Sequence, residues 1–106
     1  MTATNKKYNK LVRDRIPEII KDKGKKCKFR IVDREEYRQK LVEKLVEETN
    51  EFVNDPCIEE LADIQEVVDN LQKEFGWKSL KAVAEFKRVT RGSFQDKIVL
   101  EEVSGE

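Results

Sequence analysis

From Asp33 to Phe75 the apolar residues recur at helical spacing, and the pattern breaks once, at Asp55-Pro56. Before the break, Leu41, Leu45 and Phe52 fall on one stripe, and Glu48 occupies the stripe position between them. After it, Leu61, Ile64, Val67, Val68, Leu71 and Phe75 form an apolar face flanked by Glu60 and Asp63. This predicts two antiparallel helices joined by one tight turn. Asp33 caps the first, and Glu36 follows at capping-box distance. That helix runs to Asn54, a length of about 30 Å at 1.5 Å per residue. Pro56 excludes Asp55 from the α region and suits a first helical position, so Asp55 is expected to cap a helix running from Pro56 to Phe75. Gly76 ends it.

The flanks are shorter. Pro17 and Gly24 bracket a helix of about two turns, with Leu11, Val12, Ile16, Ile19 and Ile20 on its buried side. Cys27, Phe29 and Ile31 alternate with Lys26, Lys28 and Arg30, and near the end Phe94, Ile98 and Leu100 fall on one side of another alternating run. The two segments are predicted to pair, since an isolated strand leaves its backbone groups unsatisfied. Between them, a helix starting at Lys78 or Ser79 carries Leu80, Val83, Ala84 and Phe86 and closes at Arg91-Gly92. Tyr37 and Trp77 read as packing residues, with base stacking the sharper alternative for Trp77. Residues Met1–Asn9 are polar and are expected to be loose. The fold class is mainly α: a single domain over residues 1–106, a bundle of about four helices around a central antiparallel hairpin, with a small two-stranded sheet.

Composition sharpens this picture. Charged residues make up 42% and hydrophobic ones 38%, the balance of helices with one narrow apolar stripe. Such helices bury their stripes against another copy, so a homodimer or homotetramer is expected. Lys plus Arg equals Asp plus Glu at 22 each, so no global field recruits a nucleic acid polymer or a membrane. The start of the chain has no apolar h-region, and the expected location is the cytoplasm. Histidine is absent, which removes His bases, His metal ligands and His-based triads. Cys27 and Cys57 are far apart in sequence and form no zinc motif; both read as small buried or half-buried thiols.

The chemistry then rests on carboxylates. Counted away from Asp55-Pro56, Glu51 and Glu60 lie at equal distances, and so do Glu48 and Asp63. The two levels are about 4.5 Å apart along the helices, and residues three apart share a face. Four acids can therefore converge, with Glu47 one position around. Crowded carboxylates repel and tend to take up protons, whereas a hard divalent cation such as Mg²⁺ resolves the conflict with an oxygen shell. Acid-x-x-acid pairs arise by chance about four times in a chain of this composition, and Asp33/Glu36 and Glu66/Asp69 are further cases. The distinguishing feature is two pairs mirrored about a turn with one acid in a core stripe. A solvated acidic face remains the alternative.

The same residues, Glu47, Glu48 and Glu51 followed by Glu60 and Asp63, resemble the E-E-x-x-E and E-x-x-D signature of the MazG-like nucleotide pyrophosphohydrolases. The segments YNKLVRDRIPEII, EELADIQEV and FKRVTRGSF…KIVLEEV are similar to a phosphoribosyl-ATP pyrophosphohydrolase-like subgroup, so the likeness covers nearly the whole chain. The connector between the acid pairs is shorter than is usual in that family. The resemblance implies an enzyme that cleaves a nucleoside triphosphate, or a related nucleotide, between the α- and β-phosphates to monophosphate and pyrophosphate. It implies Mg²⁺ held by Glu48, Glu51, Glu60 and Asp63, and Glu47 and Glu48 as catalytic residues. It also places the N-terminal segment near the nucleotide, which makes Lys10 and Arg13 phosphate-binding candidates; Arg15 reads as solvated. Lys87, Arg88, Arg91 and Ser93 form a basic, hydroxyl-bearing corner, and Lys87 and Arg91 are its triphosphate-clamp candidates. The subgroup's label specifies no base or ribose for this chain. The reading from a different class is a non-catalytic helical module that dimerises or senses nucleotide.

Overall fold

The computed structural model describes residues 6–105, so most of the expected loose N-terminus lies outside the described residues. Four helices follow in order: α1 (Ile16–Asp22), α2 (Arg34–Asn54), α3 (Ile58–Phe75) and α4 (Leu80–Arg91). The chain is mainly helical, as its periodicity predicts.

The start of α2 obeys its local chemistry. The Asp33 side chain accepts a hydrogen bond from the Glu36 backbone N–H at 2.9 Å, which satisfies one of the unpaired donors of the first turn. The reversal between α2 and α3 differs in detail from the expectation. Asp55 closes α2, donating its N–H to the Glu51 carbonyl, and Cys57 is the residue before α3. Pro56 belongs to neither helix, and α3 begins at Ile58 rather than Pro56. The Pro restriction on its neighbour acts here as a stop for α2 and delays α3 by two residues.

At the far end of the hairpin Gly76 takes φ +69°, and the Trp77 N–H reaches the Gln72 carbonyl at 3.0 Å. This closes α3 with a left-handed residue that only glycine adopts cheaply. Trp77 stacks on Phe75 with ring centroids 4.7 Å apart. The Arg38 guanidinium also lies over Phe75, 4.7 Å from the ring centre, and Arg38 bonds the Glu74 carboxylate at 3.2 Å. One aromatic-cation stack thus ties the start of α2 to the end of α3.

The α2–α3 pair holds the only extensive helix–helix packing among the described residues. Leu41 and Val67 are its fully buried apolar side chains. Leu45, Phe52, Ile64, Val68, Leu71 and Phe75 are half-buried around them, while Leu61, placed on the same face by its spacing, is exposed. α1 buries no residue fully. α4 stands apart from the hairpin, with Phe86 and Val89 exposed.

The expected two-stranded sheet is not present among the described residues: neither alternating segment pairs as a strand, and the second opens in a turn, the Lys97 N–H donating to the Phe94 carbonyl at 3.2 Å. Ile31 and Phe94 are 93% and 96% exposed. A lone two-stranded ribbon is marginal in water unless one face is covered, and here no element covers either segment. The result is an elongated chain of 67 × 32 × 29 Å. Its radius of gyration of 19.3 Å exceeds the value of about 13 Å for a compact domain of this length.

Candidate metal centre

The hairpin brings together the four acids that the sequence places at matched heights. One carboxylate oxygen from each of Glu48, Glu51, Glu60 and Asp63 lies within 4.8 Å of the others. Glu48 and Glu51 come from α2, Glu60 and Asp63 from α3. With α3 starting at Ile58, Glu60 and Asp63 lie one residue nearer their helix end than Glu51 and Glu48 do, but the three-residue spacing within each pair is kept and the four acids still converge.

Burial is uneven. Glu48 is 6% exposed, whereas Glu60 and Asp63 are half-buried and Glu51 faces solvent. Glu48 Oε2 and Glu60 Oε2 are both buried and have no hydrogen-bond partner. A buried carboxylate oxygen without a partner costs about 1–3 kcal/mol or more, so this pair of atoms is the most costly polar feature of the hairpin.

Three cations partly neutralise the cluster. Lys44 Nζ lies 3.2 Å from Glu48 Oε1 and 3.2 Å from Glu47 Oε2. Lys10 Nζ reaches Glu47 Oε1 at 2.5 Å, and Arg13 bonds Asp63 Oδ1 at 2.7 Å. Lys40 holds the backbone beneath them by donating to the Asn9 carbonyl at 3.0 Å. The segment from Asn9 to Arg13 therefore lies as a strap across the acids, pinned at both ends of the cluster.

The pKa directions follow. Burial pushes Glu48 up from 4.5 and the nearby Glu51 adds repulsion, while Lys44 offsets only part of this. Burial would also raise Glu47, but hydrogen bonds from Lys10 and Lys44 outweigh it and hold Glu47 below 4.5. Its hydrogen bond to Glu47 raises Lys10. The two adjacent glutamates are thus driven apart: Glu47 is firmly ionised and doubly bonded, and Glu48 is the acid that resists ionisation when no further cation is near.

Of the sequence candidates, Glu47, Glu48, Glu51, Glu60, Asp63, Lys10 and Arg13 meet at one place. Arg15 instead pairs locally with Glu18, in keeping with a solvated role. Lys87 and Arg91 do not join the cluster; α4 carries them away from the hairpin, and among the described residues neither forms an ion pair. Sequence reasoning passed over Lys44. Its spacing to Glu47 and Glu48, three and four residues on, is the ordinary helical ion-pair signal and could have flagged it.

The donor set suits a hard cation: all-oxygen, carboxylate, with two buried oxygens unspoken for. No family model matches the chain, and neither does any curated protein or solved structure.

Proposed function

We propose that the protein is a Mg²⁺-dependent nucleotide pyrophosphohydrolase, cleaving a nucleoside triphosphate or related nucleotide to a monophosphate and pyrophosphate. The observation that carries the metal part is the pair of unpartnered, buried oxygens on Glu48 and Glu60 inside a four-acid cluster. Glu48, Glu51, Glu60 and Asp63 would hold the ion. When bound, Mg²⁺ stabilises charge developing on phosphoryl oxygens and lowers the pKa of water. The nucleotide part rests on the signature resemblance together with the two cations of the strap.

The remaining work belongs to the chain's own side chains. Arg13 and Lys10 sit at the rim on flexible stems, and each can swing from an acid to a substrate phosphate, Arg13 in bidentate fashion. Glu47, ionised and one position around from Glu48, orients the attacking water. Its depressed pKa makes it a weak proton acceptor, so its contribution is chiefly positional. Lys44 keeps Glu47 and Glu48 in register by bonding both. One water is consumed, the bridging bond between the α- and β-phosphorus breaks, and one proton passes to solvent. We further propose a cytoplasmic, homo-oligomeric protein, whose fold is the MazG-like bundle that the signature implies.

The assay is product release from a panel of nucleoside triphosphates and phosphoribosyl-ATP with Mg²⁺. Pyrophosphate and monophosphate as products, lost in Glu48→Gln and Glu60→Gln, are expected. Orthophosphate as the main product, or full activity in either variant, would sink the scheme. The ion pairs of Lys10, Arg13 and Lys44, which satisfy part of the cluster without any metal, favour one rival: a helical module that dimerises or senses nucleotide without cleaving it. Nucleotide binding with no turnover across the panel would select that rival.

A further inference from the structure

The acid centre contains a cation of its own. Lys44 precedes the paired glutamates on α2 by one helical turn, three residues before Glu47 and four before Glu48. Its ammonium lies 3.2 Å from Glu47 Oε2 and 3.2 Å from Glu48 Oε1. Lys10 and Arg13 reach the acids from the rim and are exposed. The Lys44 side chain is 15% exposed, so it belongs to the floor of the centre rather than to its edge.

This decides how many oxygens each glutamate has left. Glu47 has both taken, Oε1 by Lys10 and Oε2 by Lys44. Glu48 has one taken. The other, Oε2, is buried and without a partner, on a side chain 8% exposed. A carboxylate tied at one oxygen can meet a cation with the other alone. One lysine thus turns two adjacent glutamates into a residue withheld from an ion and a residue that offers it a single oxygen.

Hard cations differ in what they ask of such a carboxylate. Mg²⁺ demands a near-ideal octahedron at about 2.0–2.1 Å and keeps several waters, so one oxygen per carboxylate suffices. Ca²⁺ gathers about 6–8 oxygens at about 2.3–2.6 Å and readily takes both oxygens of one carboxylate. Pinning Glu48 at Oε1 suits the first ion and withholds a ligand from the second. Charge cannot make this distinction, because the two ions carry the same charge and the Lys44 ammonium repels both alike.

We propose that Lys44 is a specificity-determining residue: by holding Glu48 Oε1 it confines Glu48 to one oxygen for an ion and biases the acid centre towards Mg²⁺ over Ca²⁺. Lys44 acts through Glu48 and is a positioning residue, not a ligand. The proposal rests on the metal part of the reading above and not on its nucleotide part.

The test is titration calorimetry of the full chain with MgCl₂ and with CaCl₂, without nucleotide, for the wild type, Lys44→Met and Lys44→Arg. Methionine keeps an unbranched apolar stem and removes the donors, whereas arginine keeps the charge and enough N–H groups for both glutamates. In Lys44→Met the ratio of Ca²⁺ to Mg²⁺ affinity should rise about tenfold, the lower end of what losing a hydrogen bond to a metal-binding side chain does to a site. Lys44→Arg should keep the ratio near the wild-type value. Should Lys44→Met not fold, Lys44→Gln replaces it; its amide can serve one glutamate but carries no charge, and the ratio should rise in the same direction. An unchanged ratio in a folded variant overturns the proposal. So does an equal loss of both ions, which is what a merely structural lysine would give. A wild type that binds neither ion removes the metal reading and this proposal with it. A wild type that binds Mg²⁺, shows the shift in ratio on substitution and cleaves no nucleotide keeps Lys44 in this role and removes the enzymatic reading alone.

Discussion

Substituting Glu48 by glutamine separates the two opposing roles of that residue. In the metal-free protein Glu48 is 6% exposed, with one oxygen on Lys44 and the other unpartnered. Relieving an unpartnered buried charged oxygen is worth about 1–3 kcal/mol. Losing the ionic character of the Lys44 pair gives back up to about 1 kcal/mol, and the amide oxygen still accepts from Lys44. The net expectation is a gain of about 1 kcal/mol, or a melting temperature about 4 °C higher for a chain of this size. With magnesium the order reverses. A ligand present at a hundred times its Kd stabilises the folded state by about 2.7 kcal/mol, which amounts to a rise of about 10 °C in the wild type. Glu48→Gln removes one charged ligand and one of the two free oxygens, so most of that rise should vanish. The assay is a thermal melt by circular dichroism at matched protein concentration, in EDTA and across a MgCl₂ series at constant ionic strength. The curves of variant and wild type should cross as magnesium increases. A variant that melts lower than wild type in EDTA and keeps the full magnesium shift would refute the reasoning at both ends.

The same residue gives a pH signature. Because burial raises Glu48 above 4.5 in the folded chain, the folded state binds that proton more tightly, so the metal-free wild type should lose stability relative to Glu48→Gln as pH climbs from about 4.5 through the raised value; urea titrations at several pH values measure the difference, and a constant gap contradicts it. Arg13→Ala should cost less than about 1 kcal/mol of stability, since its pair with Asp63 is exposed, yet weaken binding of Mg²⁺–nucleotide several-fold by calorimetry; a large stability loss would make the strap structural. Asp33→Ala removes the α2 cap and should cost about 1 kcal/mol by urea denaturation. Gly76→Ala meets open space but requires a left-handed residue at φ +69°, so a loss of about 1–2 kcal/mol by the same method reflects backbone strain alone.

The helical hairpin was legible in the residue pattern because its determinants are local. Stripe spacing, the Asp33 cap, the Asp55-Pro56 break and Gly76 each act within a turn or two, and counting from the break set the heights of Glu48, Glu51, Glu60 and Asp63. Which side of Pro56 each capping residue serves was less legible, since Asp55 can close one helix or open the next, and the tertiary arrangement used it to close α2. The alternating runs around Phe29 and Ile98 state only that a segment is two-faced; whether it pairs depends on an element that no local rule supplies, and among the described residues none is there. Burial, too, was decided by the three-dimensional arrangement. Leu61 has the spacing of a core residue but faces outward, while Glu48 has the chemistry of a surface residue and is enclosed. The strap of Lys10 and Arg13 on Glu47 and Asp63 spans more than thirty residues of sequence. Periodicity carries no information across such a distance, because contacts of that range are set by how rods pack and where their connections run.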